Sequence, residues 1–232
     1  MKLAIVGYGK MGKLVERLAP DYGFTVALKL DEFNNVEFAG ITRENFQGVD
    51  VAIEFSTPAT VVANIERIAA LGVNMVVGTT GWLDQMERVR ALAERHDIGL
   101  VWSPNFSIGV NVFSRLVAEA ARLLASEEQY GAWAWEIHHS TKKDAPSGTL
   151  LKLVSDMKNA GYARPIDTGS NRAGAHPGTH EIGFDSSADT ITLRHTARSR
   201  EGFAHGALKA AGWVVGKRGL HEFGDIIFGN VR

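Results

Sequence analysis

Between Glu136 and Thr149 the sequence reads EIHHSTKKDAPSGT, which gathers two adjacent histidines, two adjacent lysines and a glycine-bearing turn into one short stretch. Histidine gives or takes a proton near neutrality, and lysine supplies a compact positive charge. Pro146 and Ser147 stand where a helix would begin, ahead of the helical run LLKLVSDMKNA. The backbone N–H groups of Gly148 and Thr149 are then expected to point outward, toward a carboxylate or phosphate. Taken singly, each feature has a plain explanation: a structural histidine, a solvated lysine pair, a capped turn. Taken together they describe a place for a small anion beside an acid–base group. His176 and His180 are spaced as metal ligands can be, but Pro177 and Gly178 interrupt any helix that would align the imidazoles, so no metal is expected.

A second constellation lies at the other end of the chain. Gly7-Tyr8-Gly9-Lys10-Met11-Gly12 follows the apolar run KLAIV and opens the helical stretch GKLVERLA, matching G-x-G-x-x-G. Between a strand and a helix, such glycines allow a tight turn, close approach of backbone to a pyrophosphate and close helix–sheet packing. The next strand, FTVALKL, ends at Asp31, where an acid can bind a ribose hydroxyl. Asp31 is followed by Glu32, and two carboxylates repel the extra phosphate of NADP, so NADH is the preferred cofactor. Lys10, Lys29 and Arg43 leave NADPH open. Two more strand ends carry small polar residues, Gly78-Thr79-Thr80 and Ser103-Pro104-Asn105-Phe106, and both are placed to meet the nicotinamide end of a dinucleotide. Ser56, after VAIEF, is placed the same way, with helix capping as its equal alternative.

These residues need a frame to hold them. The first half of the chain alternates short apolar runs (KLAIV, FTVALKL, VDVAIEF, VNMVVGTT, IGLVWS) with amphipathic stretches such as ATVVANIERIAALG. That rhythm predicts an α/β fold, a parallel sheet covered by helices on both faces. It changes near Ser103-Pro104-Asn105, where a longer helix from Ile108 to Ala125 gives way to WAWEIHH, a half-exposed strand, and a second domain begins. Asn171 to His180 reads as a loop, HEIGF and TITLRHTARS as antiparallel strands, and FAHGALKAAGWVVGK as a helix.

The 232 residues, 45% hydrophobic, are enough for one large domain or two modest ones. A net charge of −1 offers no broad cationic field, so neither nucleic acid nor an anionic membrane surface is an expected partner. With no cysteine, thiolate nucleophiles and disulfides are excluded. No apolar stretch is long enough for a signal peptide or a bilayer span, and a cytoplasmic location is expected.

The motifs GYGKMG, GTTGW, SPNFSIGVNV, EIHHSTKKDAPSGT and RAGAHPGTHEIGF, with HTARSREGFAHGALKAAGWVVGK, make the chain resemble the dihydrodipicolinate reductases along essentially its whole length. The histidine–lysine segment carries the most specific likeness, of the form E-x-H-H-x-x-K-x-D-A-P-S-G-T. The resemblance implies His138 as proton donor/acceptor, Lys142 as proton donor, and His139, Gly148 and Thr149 as holders of the substrate's carboxylates. It implies dinucleotide contacts at Gly7 to Gly12, Asp31, Gly78 to Thr80 and Ser103 to Phe106. Lys10 stands where many members carry arginine, and Glu32 where NADPH-tolerant members often do.

The implied fold is a Rossmann-like dinucleotide domain, residues 1–104 completed by 206–232, plus an α+β domain, residues 105–205, that binds substrate and builds a homotetramer. The implied reaction takes 4-hydroxy-tetrahydrodipicolinate, a small dicarboxylate, through loss of water and hydride transfer to tetrahydrodipicolinate, in lysine and diaminopimelate biosynthesis. Two alternatives remain on sequence grounds. One is another two-domain NAD(P)-dependent amino-acid dehydrogenase, which need not carry HHSTKKDAPSGT. The other is a non-catalytic NADH-sensing regulator, which should show a DNA-binding helix pair or a basic patch.

Overall fold

The computed structural model describes residues 1–229, which form two compact units, Met1–Ile108 with the segment from Glu201 onward, and Gly109–Arg200. In the first unit, β1 (Lys2–Val6), β2 (Thr25–Leu30), β3 (Val51–Glu54), β4 (Asn74–Val77), β5 (Gly99–Trp102) and β10 (Gly219–Glu222) form one sheet. Its order is β10-β5-β4-β3-β1-β2 and every pairing is parallel.

Alternate side chains of each strand enter different cores. Leu3, Ile5, Val51 and Ile53 join Val15 of α1 (Lys10–Leu18) and the alanines of α6 (Glu201–Val214). Ala4, Val6, Ala52, Met75 and Val77 join Ile65 and Ile68 of α2 (Val61–Ala70) and Val89 of α3 (Met86–Arg95). Burial on both faces explains why these strands are apolar without alternation. The chain leaves β1 toward β2 on one side and reaches β3 on the other, so a crevice opens beyond the carboxyl ends of β1 and β3, where an open parallel sheet binds ligands.

The second unit carries a sheet of order β7-β6-β8-β9, from β6 (Gly131–His138), β7 (Ile166–Arg172), β8 (Thr179–Asp185) and β9 (Thr190–Thr196). Strand β6 pairs parallel with β7 and antiparallel with β8. Ala134 on β6 packs with Phe113 and Val117 of α4 (Ile108–Leu123) and with Leu150 and Leu153 of α5 (Gly148–Asn159). Glu136 and His138 share the inward side of β6, and Trp133, Trp135 and Ile137 alternate with them, half exposed. The Trp133 ring lies where a Cβ on Gly183 would be, 2.1 Å from its Cε2.

Two strands differ from the sequence reading. Asn171 and Arg172 end β7 instead of opening a loop, and β10 stands between the helix and the apolar run DIIFG, where no element is expected. β7 is mostly polar and exposed at the sheet edge, and β10 has four residues, so neither leaves a hydrophobic period to detect. The last helix, α7 (Phe223–Phe228), places Phe223 against Phe106 at a ring separation of 5.0 Å.

Two glycines of α6 separate packing from propensity. A Cβ on Gly206 would fall 1.7 Å from the Phe106 carbonyl oxygen, which is backbone and cannot rotate away, whereas a Cβ on Gly212 meets nothing within 4 Å. Gly206→Ala should therefore destabilise the protein by about 3 kcal/mol, and Gly212→Ala should stabilise it by about 0.5–1 kcal/mol. Denaturant midpoints of the two variants check the opposite signs.

Candidate active site

At the crevice of the first unit the three motif glycines are required for three different reasons. Gly7 has φ +95°, and a Cβ there would lie 2.2 Å from the Phe55 carbonyl oxygen, so the loop must be bare to pass β3. A Cβ on Gly12 would lie 2.5 Å from the Gly7 carbonyl oxygen, which fixes how closely α1 follows the turn. Gly9 is different, because no protein atom lies within 4 Å of where its Cβ would be. Gly9 caps α1 without a side-chain hydrogen bond, so no capping oxygen takes the first-turn N–H groups. Open space and free amides at a helix start fit a pyrophosphate.

A cleft of about 600 Å³ runs from here toward the end of β2, lined by Gly7, Tyr8, Gly9, Lys13, Asp31 and Glu32, among others. Asp31 Oδ1 accepts from the backbone N–H groups of Phe33 at 2.9 Å and Asn34 at 3.1 Å, which fixes the carboxylate at the cleft wall. Glu37 adds a third carboxylate to the lining, and Lys13 is its cation. Lys29 lies 2.9 Å from Glu16 and over the Tyr8 ring, and Tyr8 donates to Glu16. That pairing holds the Tyr8 hydroxyl proton more tightly than usual. Arg43 lines a separate hollow with Glu44 and Phe46. On the other side of the glycine loop a hollow of about 430 Å³ is lined by Lys10, Met11, Ser56, Gly78, Thr79 and Thr80, with Gly9 shared. Gly78 is glycine because the Phe55 ring occupies its Cβ position, 2.1 Å away.

The turn after β5 lines neither space. There the Ser103 hydroxyl donates to the Asn105 carbonyl at 2.8 Å, Pro104 is exposed, and Phe106 is buried edge-on to Phe55.

In the second unit the structure brings His138 and Ser147 of the histidine–lysine segment to Glu136, a residue to which the sequence alone assigns no role. Its carboxylate is fully buried. Oε1 accepts from the Ser147 N–H at 2.8 Å, the Ser170 hydroxyl at 2.9 Å and Arg172 Nη2 at 2.9 Å, and Oε2 accepts from the Ser147 hydroxyl. His180 Nε2 lies 3.3 Å and His138 Nδ1 3.6 Å from Oε2. Burial pushes the carboxyl pKa up, but the donors of Ser147, Arg172 and Ser170 outweigh it and bring it down to about 2. The same burial lowers His138, and lowers His180 to about 4, so both imidazoles are neutral at pH 7. His138 and His180 meet edge to face at 5.1 Å, and Gly178 clears room for the His138 ring.

Ser147 caps α5, accepting from the Leu150 N–H at 3.2 Å, and so ties the helix start to Glu136. Gly148 and Thr149 form the exposed and half-buried start of that helix. Lys142 Nζ donates to both oxygens of Asp144 at 2.7 and 2.9 Å. Lys142 first, with smaller help from the nearby backbone amides, holds Asp144 below the usual carboxylate range. His139 is half-buried with Nδ1 2.8 Å from the Thr141 hydroxyl, and Lys143 is exposed. Glu136, His138 and His180 bring ligand atoms within 4.8 Å of one another. The Arg172 guanidinium and three hydroxyl or amide donors already take the Glu136 lone pairs, which marks the group as an ion-pair network instead of a cation cage.

The comparisons with known proteins divide the chain at the first of the two unit boundaries, near Ile108. Residues 1–106 match the family described as dihydrodipicolinate reductase, N-terminus, and residues 109–227 match dihydrodipicolinate reductase, C-terminus. The chain is similar to the 4-hydroxy-tetrahydrodipicolinate reductase of Christiangramia forsetii, with 34% identity over 98% of both chains. It is 34% identical to that of Archaeoglobus fulgidus, over 98% of this chain and all of the relative. A dipicolinate-bound dihydrodipicolinate reductase from Paenisporosarcina sp. TG-14 shares the fold, with a TM-score of 0.81, 22% identity, and coverage of 96% of this chain and 97% of that one.

The Glu136 network makes an acid-sensitive contribution to stability. A carboxyl whose folded pKa is about 2 against an ordinary 4.5 stabilises the fold fully above pH 4.5, and the contribution is lost as pH falls through 2. Glu136→Gln should cost about 3 kcal/mol at pH 7. The gap from the wild type should close toward pH 2, as read by denaturant titration at each pH.

Proposed function

The chain belongs to the dihydrodipicolinate reductase family, and from that membership we propose how its parts divide the work. It reduces 4-hydroxy-tetrahydrodipicolinate to tetrahydrodipicolinate with a nicotinamide dinucleotide, in lysine and diaminopimelate biosynthesis. The observation that carries the assignment of the substrate site is the grip of Lys142 Nζ on both oxygens of one carboxylate, that of Asp144, four residues before the start of α5 at Gly148. An ammonium that meets both oxygens of a carboxylate of the chain is placed to meet one of a dicarboxylate substrate. Thr149 extends the helix start, and His139 is assigned as a further donor to the substrate.

The nicotinamide, when bound, supplies the hydride. Lys142, as an ammonium, gives the proton and stabilises negative charge on the ring while the hydride arrives. His138 is neutral because it is buried, so it takes a proton before it can return one. Glu136 lies 3.6 Å from that imidazole and, through Ser147, holds the helix start. The dinucleotide belongs to the parallel-sheet unit, with the pyrophosphate at Gly9 and a ribose at Asp31. Self-association as a homotetramer belongs to the mixed sheet, whose Trp133, Trp135 and Ile137 present half-exposed apolar surface. A cytoplasmic location completes the reading; among the described residues no helix is long and apolar enough to cross a membrane.

Two kinetic experiments test these roles. Lys142→Ala should lower kcat by about 100-fold or more and raise KM much less, with Lys143→Ala near wild type; an equal fall for both variants refutes the proton-donor role. For the nucleotide, Asp31, Glu32 and Glu37 crowd the cleft with negative charge, which supports NADH as preferred and NADPH as a weaker donor. Glu32→Arg should lower the KM for NADPH by about tenfold. A wild-type KM far lower for NADPH than for NADH at equal kcat overturns the preference.

A further inference from the structure

Glu54 ends β3 with its side chain completely buried on the face that packs against α2. Its partners are unevenly shared between its oxygens. Oε1 accepts from the Ser56 backbone N–H at 3.2 Å, from Asn64 Nδ2 at 3.2 Å and from the Ser56 hydroxyl. Oε2 is buried and receives no hydrogen bond of regular geometry, and Thr79 Oγ1 is buried in the same condition. Asn64 Oδ1 is buried without a partner as well, and the Thr79 side chain is close enough to the carboxyl to interact with it, so a proton on Oε2 has an acceptor to serve where a bare carboxylate oxygen has nothing to give.

An ionised carboxylate spreads its charge over both oxygens, and a buried charge requires donors on both or a cation beside it. Among the described residues Glu54 has no ion pair, whereas Glu136, equally buried, has Arg172. A neutral carboxyl divides its oxygens as Glu54 does, one accepting and one bearing a proton to donate. Burial raises the Glu54 pKa against the opposing hydrogen bonds of Ser56, Thr79 and Asn64.

The position gives this neutrality a use. Glu54 pairs in register with Val6, the residue before Gly7, and with Val77, the residue before Gly78. Ser56 and Thr79 both line the hollow beside the glycine loop. We propose that Glu54 is a positioning residue that works as an uncharged acid, accepting at Oε1 from Ser56 and Asn64 and donating from Oε2 to Thr79, so that the turns after β3 and β4 are tied together beneath an anionic dinucleotide without a buried negative charge opposing it. The inference rests on the assignment of the dinucleotide to this unit.

The proposal has a pH signature. The residues that face Glu54 from β1, β4, α2 and the two turns, namely Val6, Val77, Asn64, Ser56 and Thr79, carry no charge. The titratable groups lining the neighbouring spaces are Tyr8, Lys10, Lys13, Asp31, Glu32 and Glu37. If the cofactor favours the neutral acid, its Kd is flat while Glu54 is protonated and rises by about tenfold per pH unit once Glu54 ionises.

NADH binding to the full-length protein, followed by fluorescence from neutral to alkaline pH, tests this. The wild type should show the alkaline rise. Glu54→Gln, whose amide accepts and donates in the same sense as the neutral acid, should bind within about threefold of the wild type at neutral pH and lack the rise. Infrared spectra of protein labelled with 13C-glutamate should show a protonated carboxylic acid at neutral pH that Glu54→Gln removes. A carboxylate band alone in the wild type, an identical alkaline rise in the variant, or a loss of NADH affinity of about tenfold or more in Glu54→Gln at neutral pH each overturns the proposal. If the variant does not fold, the labelled wild-type spectrum still decides it. Failure of the wild type to bind NADH at any pH overturns the dinucleotide assignment instead, and leaves the protonation state of Glu54 to the infrared band.

Discussion

The negative charge of Glu136 is the constraint around which the 109–200 unit is arranged. A fully buried carboxylate survives only where donors replace the water it has lost, and those donors must arrive from several elements at once. Ser147 comes from the start of α5, Ser170 and Arg172 from β7, and His180 from β8. The register of β6 brings them together, since Glu136 lies opposite Ser170 on one side and His180 on the other. A slip of one residue in either pairing would turn Glu136 toward the Trp133 and Trp135 face and leave the Arg172 guanidinium without its carboxylate. The charge therefore selects the register, and the register sets where His138 and the start of α5 stand.

In the other unit the corresponding constraint is steric. Backbone passes backbone at Gly7 and Gly12, and a ring fills the Cβ position of Gly78, so three glycines are consumed by the protein's own packing. Among the three glycines of the G-x-G-x-x-G motif, Gly9 alone is bordered by open space. The difference separates what a turn needs from what a ligand needs, which the pattern G-x-G-x-x-G does not do by itself. The crowding of Asp31, Glu32 and Glu37 on the same cleft acts by long-range charge, and Lys29, engaged by Glu16, does not offset it there.

Much of this was legible in the order of residues. Apolar runs separated by amphipathic stretches indicate the parallel sheet, and EIHHSTKKDAPSGT locates a strand end, a turn and a helix start that the structure also contains. What escaped was the set of contacts between distant positions. Ser170 and Arg172 are 34 and 36 residues from Glu136, in a polar edge strand with no hydrophobic period to announce it. The signal for Glu136 was present but faint: an acid on the inward side of the alternating strand WAWEIH, in step with Ala134. Asp144 carries no signal of its own in the sequence, because its role depends on where Lys142 points, which spacing alone does not determine.

Glu136 and Glu54 show how far the environment, and not the residue type, decides chemistry. Both are glutamates at zero exposure near the ends of strands, and burial raises the pKa of each. Glu136 has a guanidinium, a backbone amide and hydroxyls distributed over both oxygens, and its pKa falls to about 2. Glu54 has its donors concentrated on one oxygen and no cation, and its pKa remains raised. The number of neighbouring hydrogen bonds is similar; what differs is a positive charge and the second oxygen's share of donors. One fold thus keeps a permanent anion where imidazoles and a helix start must be held in place, and an acid that can stay neutral where an anionic ligand is to approach.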